Sequence, residues 1–267
     1  MRRLIEFPCA GDTLVGTLDE AQGTTGLLIV SGGNEIRAGA HRGMASLAAR
    51  LAAAGTPVFR FDRRGVGDSS GENTGYAESA PDIAAAAATF CAEAGITRLV
   101  GFGNCDAATA LALFHQASGI DALILANPWV TEQDDDLPPA SAIRSRYAKR
   151  LRDPREWLRV ARGGVNIANV VRGLRKISRA ESEQSSNLAA QLFARLAVDP
   201  SPITILLASR DNTAIAFRAA WSAAEEPGLH EHIRLELRNS ASHSFASAND
   251  KQWLFDQITA ALARATG

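Results

Sequence analysis

The sequence predicts an α/β architecture: a mostly parallel central sheet with helices on both faces and a helical cap inserted between late strands. Three observations carry that prediction. Apolar runs without alternation, as strands buried on both faces require, alternate with helical-period segments from residue 26 to residue 126. The rhythm breaks after Asn127-Pro128 and resumes near residue 203. Between them, L-V-G-F-G-N-C-D-A-A-T-A-L (99–111) runs an apolar strand end through small residues into a helix, with Cys105 at the turn.

In chain order, residues 4–7 and 13–18 flank the turn signal Ala10-Gly11-Asp12 and read as a short antiparallel pair. The buried run 26–30 ends in S-G-G-N-E-I-R-A-G, followed by a helix over about 40–54, a strand over 57–61 and the loop D-R-R-G-V-G-D-S-S-G. An alanine-rich helix follows at 80–94, then the central strand 99–102, a helix at 107–117 and another buried strand at 122–126. Repetition of strand, helix, strand implies crossover connections and a parallel sheet. After the break come a strand at 203–208, a helix near 213–224, a strand at 233–237 and a terminal helix at 250–264. The core is therefore expected over 1–130 and 200–267, with the cap at 131–199.

Within the cap, Ile143, Tyr147 and Leu151 recur at helical spacing, and Asp153-Pro154 is a helix-start signal ahead of Trp157 and Leu158. Gly163-Gly164 closes that piece, and Val170, Val171, Leu174 and Ile177 mark a further amphipathic helix. Residues 142–179 hold twelve basic and two acidic side chains, a net +10, which leaves the rest of the chain at −11. The cap alone is cationic.

The 267 residues, 46% hydrophobic and 21% charged, suffice for one core plus an inserted lid and argue against disorder. The start M-R-R-L-I-E-F-P-C-A-G-D reaches Glu6 and Pro8 before any apolar stretch forms, so no secretion signal is expected, and no segment has the length and apolarity of a membrane span. Cys9, Cys91 and Cys105 lack paired or metal-ligand spacing, which suits a cytoplasmic protein without metal or cofactor.

Cys105 is the candidate nucleophile. A side chain on a sharp strand-to-helix turn is pushed out of the sheet edge, provided the flanking positions are small; Gly103 and Ala107 meet that at minus two and plus two. The helix dipole favours a negative charge on its sulfur. The bland alternative is a small core residue at a helix start. A dinucleotide loop is excluded because the third glycine position of G-x-G-x-x-G holds Asp106, whose carboxylate would repel a pyrophosphate.

Taken together, these segments resemble the α/β-hydrolase superfamily over nearly the whole chain, with F-D-R-R-G-V-G-D-S-S-G (61–71) similar to the loop after its fourth strand. More narrowly, G-G-N-E-I-R-A-G-A-H-R with G-N-C-D-A-A resembles the first exosortase-associated hydrolase family, found with bacterial exopolysaccharide and protein-sorting gene clusters. The superfamily order of nucleophile, acid, histidine points to Asp211, after I-T-I-L-L-A-S-R, and His243, in N-S-A-S-H-S-F. Asp211 also reads as a helix N-cap, and Glu132 is the alternative acid. The oxyanion donors implied are the N–H of Asp106 and that of Gly33, with Asn34 as the alternative to Gly33. Arg37, His41, Tyr147 and Trp157 are candidate substrate or cap contacts. His115, about 15 Å along the helix from Cys105, reads as structural, and His230 and His232, ahead of the last strand, as solvent-facing.

A cysteine in place of serine shifts the expected donor from oxyester to thioester, since thiolate attack on a thioester is nearly balanced. The function expected is an acyl hydrolase on thioesters or carboxylic esters. The alternatives are an acyltransferase delivering the acyl group to an amine or hydroxyl, and a non-catalytic carrier-protein or membrane-binding module on a hydrolase scaffold. The cationic cap would attract coenzyme A or an acidic acyl carrier protein. A membrane surface is a further partner, while a solvated charged face is the plain reading. With Tyr147 and Trp157 the sole aromatics of residues 142–179, the basic run offers no stacking platform for nucleic acid.

Overall fold

A computed structural model describes residues 1–131 and 187–266. Most of the expected cap, with Glu132, Tyr147 and Trp157 and the basic run, lies outside these residues.

The described chain builds one eight-stranded sheet in the order β1-β2-β4-β3-β5-β6-β7-β8. Its strands are β1 (Arg2–Cys9), β2 (Asp12–Asp19), β3 (Thr25–Val30), β4 (Val58–Phe61), β5 (Arg98–Asn104), β6 (Ala122–Ala126), β7 (Ile203–Ala208) and β8 (Arg234–Arg238). β1 pairs antiparallel with β2, from Arg2 opposite Asp19 to Cys9 opposite Asp12, and β2 antiparallel with β4. Every other pairing is parallel.

The unbroken apolar runs follow from two buried faces. Side chains alternate across a strand, and Leu28, Leu99, Leu123, Leu125, Ile203, Ile205 and Leu207 enter one apolar layer. Leu27, Ile29, Val100, Phe102, Ile124 and Leu206 enter the other. Helix α2 (Ala80–Ala94), helix α3 (Asp106–Phe114), the helix at 187–197 and the helix Asn212–Ala223 cover the first layer through Ile83, Phe90, Leu111, Leu192, Phe193 and Phe217. Helix α1 (Gly43–Ala53) and the terminal helix Ala248–Thr266 cover the second through Leu47, Leu51, Leu254 and Ile258.

Two expected boundaries shift. The helix expected from residue 40 begins at Gly43, because His41 and Arg42 take left-handed φ of 53° and 56° and end a separate short turn, Ala40–Arg42. Residues 187–197, expected as part of the cap, form a helix whose Ala189, Leu192, Phe193 and Leu196 belong to the core's own apolar cluster.

Candidate active site

Strand β5 ends at Asn104 and α3 begins at Asp106, so the whole turn between them is Cys105, with φ 63° and ψ −129°. A residue with a side chain in that region costs on the order of 1–3 kcal/mol and persists only where its surroundings impose it. The imposing contacts are backbone hydrogen bonds. Cys105 N–H donates to Ala126 O at 3.0 Å, while its carbonyl accepts from Ala108 N at 3.1 Å and Trp129 N at 3.2 Å. Thr109 Oγ1 closes the bracket by donating to Trp129 O at 2.6 Å. Gly103 lets helix and strand approach, since a Cβ there would lie 2.7 Å from Ala107 C and 2.8 Å from Ala108 N.

Asp211 precedes the helix Asn212–Ala223 as its N-cap, and its Oδ2 accepts from Thr213 N at 3.1 Å and Ala214 N at 3.2 Å. The same oxygen lies 3.0 Å from His243 Nδ1. A carboxylate at Nδ1 places a proton there and turns Nε2 outward. Burial works to lower the His243 pKa, but hydrogen bonds and charge interactions with Asp211 and Cys105 outweigh it and raise the group to about 10. The three predicted side chains are thus brought together at one sheet edge.

One residue that the sequence marked merely as a break in rhythm proves central. Asn127 is fully buried with φ 40°. Its Oδ1 accepts from Ala208 N at 2.8 Å, and its Nδ2 donates to Asn104 Oδ1 and to His243 O, both at 3.1 Å. It ties the ends of β5 and β7 to the histidine loop. The available signal was an asparagine directly after a buried strand, a residue type that tolerates left-handed backbone.

On the other side of Cys105, after β3, Gly33 N–H is 2.9 Å from both carboxylate oxygens of Asp106. Asn34 Oδ1 accepts from Asn73 Nδ2 at 2.7 Å. Arg37 is held by its neighbours: Nη2 donates to Asp68 Oδ2 at 2.8 Å, Nε to Thr17 Oγ1 at 3.0 Å, and Nη1 to Asp62 Oδ2. Its guanidinium therefore anchors the loop after β3 to the loop after β4. His41 sits exposed on the left-handed turn before α1. His115 is buried, with Nε2 2.5 Å from Asp199 Oδ2. His230 packs edge-on to Trp221, and His232 contacts Leu196 O at 3.0 Å; both are exposed. Among the described residues no cluster of three or more His, Cys, Asp or Glu side chains could hold a metal ion, and no helix is long and apolar enough to cross a membrane.

A family model described as "Alpha/beta hydrolase family" matches residues 27–256. No curated protein matches the sequence significantly. Among solved structures, an esterase from Pyrococcus furiosus superposes with a TM-score of 0.67 at 15% identity, covering 100% of this chain and 91% of its own. A serine hydrolase without a lid from Xanthomonas campestris gives a TM-score of 0.59 at 15% identity, with 98% and 94% covered. A proline iminopeptidase-related protein from Thermus thermophilus gives 0.59 at 17% identity, with 99% of each chain covered.

Proposed function

The chain belongs to the α/β-hydrolase family, and from that premise we propose that it is an acyl hydrolase with Cys105 as nucleophile, acting on thioesters or esters. The observation that carries the reading is the pairing of His243 with the capping carboxylate Asp211 at 3.0 Å, beside a cysteine held at positive φ.

The steps follow from the groups. The Cys105 thiolate attacks the acyl carbonyl, forming a C–S bond while the carbonyl π electrons move to oxygen. The Asp106 N–H, first of α3 and without an intrahelical acceptor, receives that oxyanion together with the Gly33 N–H. Collapse expels the leaving thiolate or alkoxide, which takes its proton from His243. Cys105 is now acylated, and the thiolate charge that raised His243 is gone. The imidazole can then take a proton from water, whose oxygen attacks the acyl carbon; collapse returns the thiolate and the imidazolium, and releases a carboxylic acid. Throughout, Asp211 fixes the imidazole's tautomer and orientation.

The resemblance to exosortase-associated hydrolases, and an anionic coenzyme A or carrier-protein donor drawn by the cationic cap, are parts of this proposal that rest on sequence. Incubating wild type and Cys105→Ala with a panel of acyl thioesters and oxyesters tests the core of it. Hydrolysis by wild type alone, with an acyl adduct on Cys105 by mass spectrometry, is expected. A silent wild type without adduct overturns the reading. An adduct released faster by added amine than by water identifies an acyltransferase.

A further inference from the structure

The backbone and side chain of Asp106 make opposite demands on the same site. Its N–H is one proposed donor to the oxyanion, yet its carboxylate occupies the other, Gly33 N–H, at 2.9 Å from each oxygen. A carbonyl oxygen needing that N–H competes with a full negative charge already seated on it. A charged acceptor holds an N–H more strongly than a neutral carbonyl does.

A second observation shows where the carboxylate can go. Arg63 is buried, and its Nη2 donates to Gly33 O at 2.6 Å and lies 3.7 Å from Asp106 Oδ2. Its Nη1 is buried with no hydrogen-bond partner among the described residues. A buried guanidinium with an open donor is an unmet demand for an anion, and Asp106 is the anion already beside it. The room for this carboxylate comes from Gly32, where a Cβ would fall 2.3 Å from Asp106 Oδ1.

We propose that Asp106 is a specificity-determining plug of the oxyanion hole: its carboxylate fills the Gly33 N–H at rest and moves onto Arg63 when an acyl carbonyl enters. This rests on the proposed acyl chemistry and deepens it. Displacing the plug consumes binding energy, which a substrate must draw from parts remote from the reacting carbonyl. Small acyl groups without such contacts are turned over poorly, and larger acyl donors that fill the site are selected. Specificity is set by what must be moved as much as by what is contacted.

The test separates the hole from the sulfur. Butyraldehyde adds to a cysteine thiol as a hemithioacetal, forming the S–C bond while the thiol proton passes by way of His243 to the former carbonyl oxygen, which then sits in the hole. Iodoacetamide alkylates the same sulfur with no oxyanion. In D106A the aldehyde is expected to bind at least tenfold tighter than to wild type, with a gain at least fivefold greater than any change in alkylation rate. D106N, uncharged but still able to accept from Gly33, falls between the two and carries the test alone if D106A does not fold. Aldehyde affinity that is unchanged, weaker, or altered only in step with alkylation overturns the plug while leaving Cys105 as nucleophile. Absence of both adduct and selective alkylation at Cys105 in every protein overturns the plug and the acyl reading together.

Discussion

Replacing Asn127 tests whether one buried amide sets the geometry at the end of the sheet. Its side chain makes three hydrogen bonds. Each is worth about 0.5–1.5 kcal/mol net, and an unpaired buried N–H such as that of Ala208 carries the larger penalty, so their loss costs about 3 kcal/mol. Alanine at φ 40° adds about 1 kcal/mol, because its Cβ crowds the carbonyl in left-handed backbone. Asn127→Ala is therefore expected to lose about 4 kcal/mol in urea unfolding, and Asn127→Gly about 3, since glycine adopts that conformation freely. Both free the His243 carbonyl, so kcat/KM for a thioester falls on the order of tenfold or more in the protein that remains folded. A loss under 0.5 kcal/mol in the alanine variant, or a glycine variant no better than alanine, would refute the reasoning.

The N-cap role of Asp211 and its proposed catalytic role separate by substitution: Asp211→Asn keeps a good N-cap, so stability changes by less than ~1 kcal/mol, while kcat falls on the order of 10²-fold or more for want of the right tautomer. Asp211→Ala loses the cap as well, which thermal unfolding detects. For pH, His243 stays protonated up to about 10, so turnover that requires protonation of the leaving group falls as pH rises through 10, while alkylation of Cys105 shows no such decline. The same raised pKa contributes stability fully present below the usual histidine value of about 6.5 and lost as pH passes through 10. In His243→Ala, iodoacetamide alkylation at neutral pH slows markedly; Cys9, which burial pushes to about 11, and Cys91, also raised by burial, contribute little background. Affinity for coenzyme A, if the cationic cap recruits it, falls steeply between low and physiological salt. A flat response leaves the charge as a solubilising surface.

The sheet was legible because its causes are local and periodic. Strands β6 and β7 and helix α2 begin and end where the apolar runs and the alanine-rich segment do. What a run of residue types does not carry is backbone handedness at a single residue, which is why α1 starts three residues late, after His41 and Arg42. Nor does it carry contacts between distant residues. Cys105, Asp211 and His243 could be chosen from chain order, but the seating of Asp106 on Gly33 joins positions 73 residues apart and depends on a loop conformation that no periodicity encodes. The helix at 187–197 was assigned to the cap because the surrounding sequence lacks strands, whereas its apolar stripe matches a core face equally well.

The order of chemistry along the chain is a consequence of the sheet. β5, β6, β7 and β8 are neighbours and parallel, so their C-terminal ends lie side by side about 4.8 Å apart. Those four ends deliver Cys105, Asn127, Asp211 and His243 in sequence, while β3, on the other side of β5, delivers Gly33. In the proposed mechanism Cys105 is flanked by a proton-handling side and an anion-handling side because β5 is central. Asn127 stands between Cys105 and Asp211 for the same reason, since β6 lies between β5 and β7. An asparagine there can hold both neighbours without carrying charge, whereas an aspartate would set a buried carboxylate against Asn104 Oδ1 and His243 O, two oxygens that need a donor. Asn127→Asp, despite its matching shape and its ability to accept from Ala208, should therefore be at least as damaging to activity as Asn127→Gly.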